Sequence, residues 1–141
     1  MRYINPLSLL DLPDGSSVET ITPSFLRQQK RRLLAEFDLA SETTIQVSGH
    51  ELDKATMLKL FDELAEEELQ QVHWKIQRLP ELEAFLEEAS LTYFYKGHIR
   101  ELEGESRELL TYIGPYFAHS YNQRLLISFK QRDWEEIQVL C

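Results

Sequence analysis

From Asp53 to Ala89 apolar residues return every three or four positions. That spacing is the 3.6-residue period of helices buried on one face. Met57, Leu58, Phe61, Leu64 and Ala65 form one stripe, opened by Asp53, a good N-cap for a helix from Lys54. Leu69, Val72, Ile76 and Leu79 form a second stripe over 67–79. Pro80 suits the first turn of a third helix, whose inner face is Leu82, Phe85, Leu86 and Ala89. Three such stripes joined by short connections predict antiparallel neighbouring helices.

The flanking segments carry the same signals with interruptions. Asn5-Pro6 reads as an N-cap followed by proline, opening one short turn over Leu7, Leu9 and Leu10. Asp11 to Ser17 holds Pro13, Asp14 and Gly15, the residue chemistry of a turn. Thr22-Pro23 repeats the cap-then-proline signal, and Phe25, Leu26, Leu33, Leu34 and Phe37 frame a helix from Ser24 to about Leu39. Between 43 and 52 the period changes: Ile45 and Val47 alternate with polar residues, Ser48-Gly49 can turn the chain, and Leu52 resumes beyond it. This predicts a hairpin or extended arm lying on a helical body, because two short strands are not stable alone.

Towards the end, Ser106 reads as the cap of a helix carrying Leu109, Leu110 and Ile113. Gly114-Pro115 is expected to interrupt it. A second helix then restarts at Pro115, with Phe117, Tyr121, Leu125 and Phe129 on one face. A break over 130–133 and a cap at Asp133 lead into Trp134, Ile137 and Leu140. Leu91-Thr92-Tyr93-Phe94-Tyr95 fits either strand or helix, and Gly97 and Gly104 bracket a charged connector. The expectation is an all-α (mainly α) chain of six to eight helices with a minor β-hairpin near residues 44–52, forming one domain over 1–141. The last apolar stripe ends without a polar cap, as it does in the N-terminal piece of a longer chain.

A chain of 141 residues buries about two-thirds of its unfolded surface. Its single cysteine, Cys141, cannot form an internal disulfide. No apolar run is long enough for a signal-peptide core or a membrane span of about twenty residues. These points predict a cytoplasmic protein without membrane contact. The net charge is -9. Residues 1–36 hold five Lys/Arg against four acids, while the remainder holds ten against twenty. One short basic cluster thus sits in an otherwise acidic chain, a layout suited to a protein partner or self-association.

Catalytic and metal motifs are missing from the sequence. His50, His73, His98 and His119 are spread out, with no pair four residues apart and no cysteine pair. Gln70-x-x-His73 and His98-x-x-Glu101 depart from the Glu-x-x-His carboxylate-bundle pattern. There is no nucleophile elbow, phosphate-binding loop or dinucleotide fingerprint. Glu66-Glu67-Glu68 and Glu87-Glu88 read as solvated faces. No catalytic residue, metal ligand or cofactor is therefore assigned. A dispersed site around His73 or His119 among Tyr93, Tyr95, Tyr116 and Tyr121 is the enzymatic alternative. For His73 the plain reading is an imidazole packed on a helix flank near Trp74.

Arg27, Lys30, Arg31 and Arg32 place four cations within six residues of one helix. Three readings stand: a solvated face opposite Phe25, Leu33 and Phe37, a protein-docking surface, or a grip on nucleic-acid phosphates. The surrounding acids repel a polyanion, and the run lacks the interleaved aromatics that stack bases.

Asn5-Pro6-Leu7-Ser8-Leu9-Leu10-Asp11-Leu12-Pro13, followed by the basic helix ending Arg31-Arg32-Leu33-Leu34-Ala35-Glu36-Phe37, resembles the opening of a J-domain. The resemblance covers residues 1–66, with Asp53 to Ala65 in place of that family's third helix, and leaves 67–141 as a helical remainder. The family's His-Pro-Asp tripeptide is replaced by Asp38-Leu39-Ala40. The resemblance therefore implies a degenerate J-like module without stimulation of a chaperone ATPase. The four basic positions match the family's partner-docking surface in type. The expected function is a non-catalytic protein-interaction or scaffold domain docking through Arg27, Lys30, Arg31 and Arg32, with nucleic-acid association through the same helix as the alternative.

Overall fold

The computed structural model describes residues 2–16, 18–40, 43–90, 102 and 104–140. Among the described residues the fold is mainly α with one hairpin. Two 3-10 turns, Pro6–Leu9 and Val18–Thr20, precede helix α1 (Pro23–Ala40). Strands β1 (Thr44–Val47) and β2 (His50–Asp53) follow, then α2 (Lys54–Ala65), α3 (Glu67–Gln77), α4 (Pro80–Glu88), α5 (Arg107–Lys130) and α6 (Trp134–Leu140). Leu91 to Tyr95, Gly97, His98 and Cys141 lie outside the described residues. No described helix is long and apolar enough to cross a membrane. The chain divides into two compact units: Asn5–Trp74, and Met1–Ile4 together with Lys75–Cys141.

In the unit Asn5–Trp74, capping chemistry sets the element starts. Asn5 is buried; its Oδ1 accepts from the Leu7 amide at 3.0 Å, and its Nδ2 donates to the His73 carbonyl at 3.3 Å. Thr22 Oγ1 accepts from the Phe25 amide at 3.1 Å. Asp53 Oδ1 accepts from the Thr56 amide at 2.7 Å. That backbone bond, with a second from the Thr56 hydroxyl, holds the Asp53 carboxyl below its ordinary pKa. The strands are antiparallel, with Ile45 opposite Leu52 and Val47 opposite His50. Ser48 and Gly49 both have positive φ, 49° and 81°, the backbone a two-residue hairpin turn requires. Ile45 and Leu52 face inward and are buried, so the hairpin does lie on the helices.

The phase of α2 differs from the sequence reading. Met57, Leu60, Phe61 and Leu64 are buried, whereas Leu58 is half-buried and Ala65 exposed. The i, i+3, i+4, i+7 set that includes Leu60 carries more apolar volume than one that includes Ala65, so the helix turns that way.

In the second unit, Leu82, Phe85, Leu86 and Ala89 are buried, as the α4 stripe predicts. The Leu86 carbonyl, in the last turn of α4, has no intrahelical donor. It accepts from the buried Ser120 hydroxyl at 3.0 Å and from the Tyr3 amide at 3.4 Å. Ser106 caps α5 at the Leu109 amide, and Asp133 caps α6 at the Glu136 amide. Glu136 accepts from Ser128 Oγ at 2.6 Å and pairs with Arg124. The Ser128 bond foremost, aided by Arg124 and opposed by burial, holds the Glu136 carboxyl below its usual pKa.

The expected break at Gly114-Pro115 does not occur, and α5 runs unbroken through both residues. The steric restriction on the residue before proline involves its Cβ, which Gly114 lacks. Both flanks are also anchored. The Tyr3 ring meets Tyr112 before the proline and Tyr116 after it, at centroid distances of 6.4 and 5.5 Å. Phe117 packs edge-on to Phe85 at 4.9 Å. The predicted Phe117-Tyr121-Leu125-Phe129 face also drifts, because steps of four residues advance about 40° each around a helix. Phe129 ends 49% exposed, against Trp134 at 62%.

Pro115 is exposed, so its ring adds little packing while it still costs a hydrogen bond to Thr111. Pro115→Ala is expected to stabilise this unit by about 1–2 kcal/mol, read as a raised urea midpoint. A lowered midpoint would mean that the ring itself supports the helix.

Candidate protein-docking site

The inward line of α1 is Gln29, Leu33 and Phe37, all buried and four residues apart. Arg27 and Arg31 are exposed on the opposite side, with Lys30 on one flank and Arg32 on the other. The fold uses these four cations differently. Arg32 Nη2 donates to the Leu9 carbonyl and to Gln29 Oε1, both at 3.1 Å. Its Nη1 lies 4.0 Å from Glu36 Oε1, one helical turn on. Gln29 Oε1 also accepts from the Asp11 amide at 3.1 Å. Arg32 and Gln29 therefore fasten the Leu9–Asp11 segment to α1, and Arg32 is part of the scaffold. Arg27, Lys30 and Arg31 form no hydrogen bond or ion pair with a described residue.

Arg27 and Lys30 line a cleft of about 600 Å³ within this unit. Pro23 and the half-buried Leu26 supply its accessible apolar surface on the α1 side, the buried side chains of Ile21, Phe61 and Leu64 form its floor, and Ala65, Glu67 and Gln70 line it from α2 and α3. Gln70 is buried and donates to the Leu64 carbonyl at 3.0 Å, which ties the start of α3 to the end of α2. Glu67 lies across the cleft from the two cations, and no ion pair within the described residues spans it. The unit holds six Lys/Arg against thirteen acids, so most of the chain's negative charge lies in the same unit as its basic helix. An apolar hollow with cations on its rim suits a bulky apolar side chain flanked by acids.

The sequence singled out the basic run but not this cleft. Ile21 lies just before α1 and Phe61 and Leu64 lie on α2, and only folding brings them beside Leu26. Of the four singled-out cations, Arg27 and Lys30 reach the cleft, Arg31 shares their exposed side, and Arg32 is drawn away.

His73 is fully buried, with Nε2 at 3.1 Å from Glu63 Oε2. His119 is half-buried in the other unit, where the Tyr121 hydroxyl donates to the Leu140 carbonyl at 2.7 Å. Neither histidine lines the α1 cleft or the shallow groove on α5 formed by Leu110, Phe117 and Tyr121. Tyr93, Tyr95 and His98 lie outside the described residues. Among the described residues no three His, Cys, Asp or Glu side chains are grouped to hold a metal. The chain matches no family model, no curated protein and no solved structure.

The unequal use of the cations predicts unequal mutational costs. Arg32→Ala leaves the Leu9 carbonyl without its donor and should cost about 1–2 kcal/mol. Arg31→Ala should change stability by less than about 0.5 kcal/mol. Chemical denaturation of both variants checks the contrast, and equal costs would contradict the assigned roles.

Proposed function

We propose that this chain is a non-catalytic protein-interaction or scaffold domain that docks an acidic partner surface through Arg27, Lys30 and Arg31. The supporting observation is that these cations form no bond with a described residue while two of them rim an apolar cleft. Arg32, the fourth cation of the sequence reading, supports this surface by holding α1 against Leu9. The cleft supplies apolar burial, and the cations supply steering and register. The likeness of the opening residues to a J-domain, with Asp38-Leu39-Ala40 where His-Pro-Asp would stand, agrees with docking through α1 without ATPase stimulation.

The test is the charge reversal R27E/K30E/R31E. Arg27 and Arg31 point away from the buried line of α1 and Lys30 lies on its flank without a bond to a described residue, so the variant should melt within a few degrees of wild type. Proteins retained by the wild-type chain at physiological salt should be identified, purified and rebound. Their affinity is expected to fall about tenfold or more in the variant. Unchanged affinity would remove the proposed surface. Retention of nucleic acid instead, weakening steeply with salt, would move the function to phosphate binding.

A further inference from the structure

The cleft carries opposite charges on its two sides. Arg27 and Lys30 stand on the α1 side, with Arg31 exposed behind them. Glu67 stands on the other side, where Glu66 and Glu68 are also exposed at the junction of α2 and α3. None of these acidic side chains forms a bond with a described residue. The surface between the two sides is apolar.

A surface with one sign on each side of an apolar strip is complementary to its own copy after a two-fold rotation. The rotation sets the basic side of each copy against the acidic side of the other and covers both apolar strips. An unrelated acidic partner would satisfy the cations and leave Glu67 facing like charge. We infer that the partner of this site is a second copy of the chain, paired across the cleft in an isologous dimer. In that dimer Arg27, Lys30 and Arg31 of each copy meet Glu66, Glu67 and Glu68 of the other. The inference rests on the reading of α1 as a docking surface and names its occupant. The surface is small and partly polar, so the expected Kd is roughly 10–100 μM.

Two charge-reversed variants of the full chain test it by sedimentation equilibrium. R27E/K30E/R31E makes both sides acidic, and E66K/E67K/E68K makes both sides basic. Each variant alone should dimerise about tenfold more weakly than wild type or not at all. An equimolar mixture should form a heterodimer within about threefold of the wild-type Kd, because every contact again joins opposite charges. A wild-type chain that stays monomeric into the millimolar range overturns the inference. So does a dimer that survives either reversal, or a mixture that fails to associate.

A second measurement needs no variant. Carbodiimide treatment of mixed isotope-labelled and unlabelled wild-type chains should join Lys30 to one of Glu66, Glu67 or Glu68 in peptides of mixed isotope composition. Cross-links that are only intramolecular contradict the dimer. If the wild-type chain is monomeric yet R27E/K30E/R31E loses a purified partner, the docking reading stands and the two-fold inference alone falls.

Discussion

The side-chain oxygen of Gln29 is the joint on which the candidate site depends. It is buried in α1 and accepts from the Asp11 amide and the Arg32 guanidinium, which also donates to the Leu9 carbonyl. A buried amide oxygen without donors costs roughly 1–3 kcal/mol, so this acceptor selects the orientation that supplies them. That orientation turns Leu33 and Phe37 inward and leaves Arg27 and Arg31 outward. The N-terminal turn is held in the same way: Asn5 bonds the Leu7 amide on one side and the His73 carbonyl on the other. Two buried amides thus determine which part of a mostly acidic unit presents positive charge.

Local chemistry was legible in the sequence where a few neighbouring residues decide it. Asn5, Thr22, Asp53, Ser106 and Asp133 all cap as their positions imply, because a cap needs only a side-chain oxygen and an amide two or three residues on. The hairpin was legible in its alternation and in Ser48-Gly49. What depends on distant partners was not. Pro115 is a local reason to end a helix, and it is overruled by Tyr3, more than a hundred positions away, whose ring contacts both flanks. His73 carries no sequence mark of full burial; its pairing with Glu63 joins two helices. The basic run could be read as a feature, but its separation into one scaffold arginine and three unpaired cations requires Leu9 and Gln29 in place.

The charge layout gains a different meaning from the fold. In the sequence the chain divides into a slightly basic beginning and an acidic remainder. In the structure the basic helix and most of the negative charge share the unit Asn5–Trp74, and Arg27, Lys30 and Glu67 line one cleft without an ion pair across it. Internal pairing would have neutralised this surface. Within the described residues Arg27, Lys30 and Arg31 on one side and Glu66, Glu67 and Glu68 on the other are left unpaired.

On the proposed reading, Arg27, Lys30 and Arg31 serve an interface while Arg32 belongs to the scaffold. Arginine side-chain Nε–Hε resonances followed by proton–nitrogen NMR over a dilution series of the wild-type chain test it most directly. The Arg27 and Arg31 resonances should move with concentration together with the Phe61, Leu64 and Glu67 backbone amides, while Arg32 stays fixed. Equal movement of Arg32 would contradict this division of the four cations, and fixed Arg27 and Arg31 resonances up to millimolar concentration would remove the two-fold pairing.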